Sequence, residues 1–187
     1  MRIRIQILVT IAILLSARAA ARATTLARMS LDQLAAAADA VARVRCTGAE
    51  SRWENGEIWT VTTFDVVETM KGVLQARITV RLPGGRVGHL TAAVDGTPRF
   101  SAGEEAVVFL ERSPAGGFSV AAWVEGTFRI GRDPRTGLET VTQDSSTFAV
   151  FDTVTRTFHT EGIRHLPFEQ FRERVAAALA RTQEKLR

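Results

Sequence analysis

Three residues late in the chain have the types from which a metal site is built. His159, Glu161 and His165 stand in His-Thr-Glu-Gly-Ile-Arg-His, where two imidazoles and a carboxylate would meet if the loop folded back on itself. The two histidines are not the four residues apart that set a pair of imidazoles on one face of a zinc-protease helix. Zinc held here would need a further ligand, or a water in a shaped cavity. Other chemistry has less to start from. No serine sits in a Gly-flanked elbow, and Asp144-Ser145-Ser146 reads as a turn. Pro83-Gly84-Gly85 lacks the Lys-Ser or Lys-Thr ending of a phosphate loop. Cys46 is the single cysteine, so no intrachain disulfide forms, and it reads as a small buried hydrophobe. No catalytic residue and no cofactor is assigned on these grounds.

The amino terminus sets the compartment. Arg2 and Arg4 precede an apolar run from Ile5 to Leu15, long enough for a signal-peptide core and too short to span a bilayer. Ala21-Arg22-Ala23 supplies small residues at cleavage spacing, so residues 1–23 are expected to be a signal peptide and 24–187 one exported domain, periplasmic or secreted. Four of the 24 Lys and Arg residues lie in that leader, leaving 20 against 20 Asp and Glu. The remaining chain is formally neutral, which argues against a nucleic-acid partner even though Arg43, Arg45 and Arg81 could share an outward face beside Trp53 or Trp59.

The elements that must position any site are mostly strands. Ile58 to Met70 is rich in β-branched and aromatic residues, and Asn55-Gly56 before it suits a tight hairpin to an upstream strand containing Val41 to Cys46. Trp59 and Val61 share one parity and Phe64 and Val66 the other, which predicts a β-bulge near Thr62 and Thr63. Further strands are expected over Ala76 to Leu82, Gly88 to Val94, Ala106 to Leu110 and Phe118 to Val124, with an extra hairpin from Gly126–Ile130 to Leu138–Thr142. Ala106 to Leu110 is apolar throughout and reads as buried on both faces. Ser30 and Gln33 form a capping box for an N-terminal helix over Met29 to Ala40, and Phe168, Phe171, Val175, Ala178 and Leu179 mark the docking face of a C-terminal helix from Pro167. Gln143 to Thr160 is polar and gives no clear element.

Leu31-Asp32-Gln33-Leu34 to Ala40-Val41, Thr63-Phe64-Asp65-Val66 through Met70-Lys71-Gly72, and Phe100 to Leu110 with its Gly103-Glu104-Glu105 resemble the bacterial netrin-like modules. These are related to the tissue inhibitors of metalloproteinases. The resemblance covers about Leu31 to Val124 and implies a mainly β fold with flanking helices, built on a five-stranded Greek-key oligomer-binding-type barrel. The animal inhibitors use an amino-terminal cysteine to reach the protease zinc, whereas here the expected start is Thr24 and Cys46 has no partner. Fold and a binding role are therefore what the resemblance implies, more than protease inhibition.

Together these features describe an exported, non-catalytic interaction module that docks a protein partner on the barrel face and its loops. The Pro83 to Arg99 excursion is the leading surface, with Trp53, Trp59, Arg86, His89 and Arg99 as candidate partner-binding residues. The alternative is the extracytoplasmic metal-dependent enzyme that uses His159, Glu161 and His165.

Overall fold

The computed structural model describes residues 28–147, 150–152, 156–159 and 162–185. The expected signal peptide lies outside the described residues. Helix α1 spans Leu31–Ala37. The Ser30 hydroxyl accepts from the Gln33 N–H at 3.2 Å and the Gln33 side chain accepts from the Ser30 N–H at 2.8 Å, a closed capping box. The helix ends three residues before Ala40, despite its run of alanines. Ala38 is already extended, and Ala40 pairs with Leu110, so sheet pairing overrides helix propensity. The Lys71 ammonium donates to the Ala35 and Ala38 carbonyls and closes the helix end.

The long hairpin consists of β1 (Ala40–Glu54) and β2 (Glu57–Lys71). Asn55 (φ 49°) and Gly56 (φ 87°) form the turn, the left-handed pair that matches strand twist. The bulge does not fall at Thr62 and Thr63. Its extra residue is Thr47 in β1, with further register shifts that leave out Val67 and Met70 in β2. Ile58, Thr62 and Phe64 keep one buried parity, and Trp59 and Val61 face outward, so these two parities are the two faces of β2 over its regular stretch, residues 58–66.

The chain continues through β3 (Arg77–Pro83), the short ribbon β4 (Gly85–Val87) and β5 (Leu90–Ala92), then β6 (Glu105–Arg112) and β7 (Phe118–Val120). The single strand expected over Gly88 to Val94 is thus one arm of a separate two-stranded ribbon. Likewise, only Phe118–Val120 of the expected Phe118 to Val124 strand pairs with β6, because Ala122 and Trp123 adopt positive φ and turn the chain away. β8 (Thr127–Arg132) and β9 (Glu139–Gln143) form the extra hairpin. β10 (Val150–Asp152) and β11 (Thr157–His159) pair with each other, β12 (Leu166–Pro167) joins β9, and α2 spans Phe168–Lys185.

The large sheet runs β1-β2-β3-β7-β6-β8-β9-β12, and an additional β1–β6 pairing closes β1, β2, β3, β7 and β6 into a ring of five strands. Alternation along β6 divides the interior in two. Ala106, Val108 and Leu110 point into the ring, where they meet Val44, Cys46, Phe64, Val80 and Phe100. Val107 and Phe109 point the other way, beneath the helices, where they join Leu34, Phe128, Phe171 and Val175. The apolar stripe of α2 closes that second core, with the Phe171 and Phe128 rings 4.8 Å apart. No helix of the described residues is long and apolar enough to cross a membrane.

If the two cores support one fold, truncation in either should be costly. Phe64→Ala in the ring and Phe109→Ala beneath the helices are each expected to lose about 3–5 kcal/mol in urea titrations. Val73→Ser, at a side chain 91% exposed, should change stability by less than about 0.5 kcal/mol.

Candidate functional site

A groove opens where the β4–β5 ribbon leaves β3. The ribbon lies close against the ends of β1 and β2 because residue 85 is glycine. A Cβ there would collide with both the Ser51 and Thr60 hydroxyls. Those hydroxyls are 2.8 Å apart, and Thr60 donates to the Gly84 carbonyl at 2.6 Å, which fixes the ribbon's root. The resulting cavity of about 470 Å³ lies between β1–β3, the ribbon and residues 97–101. Phe100 forms its apolar floor, packed edge-on against Phe64 with centroids 4.9 Å apart.

The wall of the groove carries charge of one sign. Arg86 and Arg99 line it, and no Asp or Glu does. Arg86 Nε donates to the Gly88 carbonyl at 3.1 Å and Arg99 Nη2 to the Ala92 carbonyl at 3.2 Å. Among the described residues neither has an ion-pair partner. Thr97, also on the wall, has a buried hydroxyl with no hydrogen-bond partner in the protein. Guanidinium donors, hydroxyls and an aromatic floor suit an anionic group attached to an apolar body.

The other candidate residues divide around this groove. Trp53 is 55% exposed near the tip of β1, on the parity of Ser51. Trp59 faces the opposite side, where the Arg81 guanidinium lies 4.1 Å from its ring centroid and is held by Glu54 at 2.6 Å. Trp59 is therefore packed on the outer face and is not part of the groove. His89 sits exposed at the ribbon turn. Arg43 and Arg45 are engaged by Glu105, and Arg43 also by Glu139. Burial opposes ionisation of Glu105, yet the hydrogen bonds from Arg45 and Arg43 hold its carboxyl below the ordinary range.

The metal trio cannot be assembled from the described residues. His159 is placed through its backbone, opposite Val150, whereas Glu161 lies outside the described residues. His165 is exposed, has φ 48° and donates its backbone N–H to the Thr142 hydroxyl at 3.2 Å. Among the described residues no cluster of three His, Cys, Asp or Glu could hold a metal ion. Cys46 is buried, and burial raises its thiol pKa, which disfavours the nucleophilic thiolate.

One polar centre was not anticipated from the sequence. Glu125 is only 2% exposed and accepts from Gln143 Nε2 at 3.1 Å and from the Met29 N–H at 3.5 Å. Burial pushes its carboxyl above the ordinary range, against the opposing hydrogen bonds from Met29 and Gln143. The available signal was an acidic residue set between Val124 and Gly126 in an otherwise apolar stretch. Glu125 braces the chain entering α1 and lies apart from the groove. Neither a protein-family model nor a curated protein matches the chain.

Because its folded pKa lies above its unfolded one, Glu125 contributes stability below the unfolded value, and loses that contribution as pH rises through the raised folded value. Glu125→Gln retains the acceptor without the charge. It should be more stable than the parent near neutral pH by on the order of 1 kcal/mol, and this gain should vanish in acid. Urea midpoints measured from pH 4 to pH 8 check both.

Proposed function

We propose that this chain is an exported, non-catalytic binding module that docks a protein partner at the mouth of its strand ring. The observation that carries the proposal is the groove itself. Among the described residues it combines two arginines without carboxylate partners, no acidic lining residue and a Phe100 floor under a projecting ribbon. Such a surface suits an acidic, partly apolar segment of another protein, with Arg86 and Arg99 binding its carboxylates. Leu90, 48% exposed on the ribbon, and His89 beside it extend the contact area. The five-strand ring supports an oligomer-binding-type Greek-key barrel as the scaffold, in keeping with the netrin-like resemblance and with binding through loops on a rigid frame. The charge-neutral chain left by loss of residues 1–23 fits a protein partner better than a nucleic acid.

Affinity capture from the envelope and secreted fractions of the producing cell, compared between the parent and an Arg86→Glu/Arg99→Glu variant, tests this reading. A partner with an acidic surface should be held by the parent, released by raised salt and lost by the variant, with a drop of at least about tenfold in affinity. Equal capture by both proteins would remove the groove from the account.

A further inference from the structure

Beyond the groove, β1 carries an edge that no described strand covers. On its β6 side, pairing ends at Cys46, whose N–H donates to the Glu104 carbonyl and whose carbonyl accepts from the Gly103 N–H, both at 2.8 Å. From Gly48 to Glu54 the strand is paired with β2 alone. Glu54 and Glu57 close the two-residue turn as a hydrogen-bonded pair. Alternation then directs the backbone groups of Arg52 and Glu50 toward β2 and those of Trp53, Ser51 and Ala49 outward. Unpaired groups in such a row form a template for another strand.

We infer that this edge pairs with the same edge of a second copy of the chain, antiparallel, about a two-fold axis through Ser51. The register follows from the residues. Ser51 is the centre of the free segment Gly48–Glu54, so Ser51 faces Ser51 of the second copy and Ala49 faces its Trp53. All three outward-facing residues then find hydrogen-bonded partners. Between them, Glu50 of each copy stands opposite Arg52 of the other. Among the described residues Glu50 has no ion-pair partner, and the exposed Arg52 pairs only with the half-buried Glu54, which Arg81 also holds. Sliding the pairing by two residues either way sets Glu50 against Glu50 or Arg52 against Arg52, so charge selects this one register.

Other features of the edge agree with this arrangement. The Trp53 side chain, 55% exposed on the parity of Ala49, comes to lie beside Ala49 of the second copy, which covers apolar surface. The available edge stops at Cys46 on one side and at the Asn55-Gly56 turn on the other, and the antiparallel match uses all of it. Opposed strand directions carry the two rings to opposite ends of the shared sheet. Because the axis is perpendicular to the sheet, both grooves open on the same face, which would give a bivalent module.

Sedimentation equilibrium of the purified protein tests the pairing. The parent should form dimers, and Glu50→Arg or Arg52→Glu alone should weaken dimerisation by about tenfold or more, because each sets like charges opposite one another. The double reversal Glu50→Arg/Arg52→Glu should restore dimerisation to within about threefold. Ser51→Cys should form a disulfide-linked dimer under mild oxidation, since hydrogen-bonded antiparallel pairs stand roughly 5.5 Å apart at Cα. A monomeric parent, dimers indifferent to the single reversals, or failure of the double reversal to rescue would each overturn the inference. Arg86→Glu/Arg99→Glu should dimerise like the parent, so failure of the groove and failure of the edge are read separately.

Discussion

Burial of β6 on both faces is the constraint on which the structure depends. Ala106, Val107, Val108, Phe109 and Leu110 are all essentially inaccessible, and their alternation assigns three to the ring interior and two to the layer beneath the helices. A strand in that position needs partners along both edges as well as cover on both faces. β1 supplies one edge, and β7 and β8 share the other. The ring, the extra hairpin and the helical cap are thus consequences of placing the apolar segment from Ala106 to Leu110 of this strand out of contact with water.

This frame also determines how the charges are used. On its flanks, arginines are drawn into built contacts: Arg43 joins Glu105 to Glu139 and lies 4.8 Å from the Phe168 ring, and Arg129 spans Glu104 and Asp144 above Phe100. These pairs tie β1, β6, β8 and β9 together at the rim of the sheet. At the mouth of the ring, by contrast, Arg86 and Arg99 donate to the Gly88 and Ala92 carbonyls and, among the described residues, meet no carboxylate. The closeness of Gly85 to Ser51 and Thr60 then fixes where their charge is presented. Arginines in carboxylate pairs and arginines held only by backbone carbonyls are in this way separated along the chain.

Local chemistry was the part of this fold legible in the sequence. The Asn55-Gly56 turn, the Ser30/Gln33 capping box, the two-sided burial of Ala106 to Leu110 and the stripe on α2 each depend on residues close in the chain, and each is present. What escaped depends on partners far apart. The bulge belongs to Thr47 and not to the Thr62-Thr63 pair, because register is set jointly by two strands. Helix α1 is cut short by the pairing of Ala40 with Leu110, which no helix propensity reports. Of the candidate residues, Arg86 and Arg99 meet in the groove across thirteen positions of chain, whereas Trp59 was better explained by Arg81 on the outer face. Glu125 was missed because its meaning lies in Gln143 and Met29, both distant in sequence.

If β6 joins two cores into one cooperative unit, the ring and the helical cap must unfold together. Urea unfolding followed on one sample by the far-UV helical signal, which reports α1 and α2, and by the fluorescence of Trp53, Trp59 and Trp123, which report the strands and turns, tests this most directly. Superimposable transitions with a single midpoint are the predicted result. A helical signal lost at lower urea, with the tryptophan environment intact, would show that the helices merely rest on a ring able to stand alone and would contradict the account.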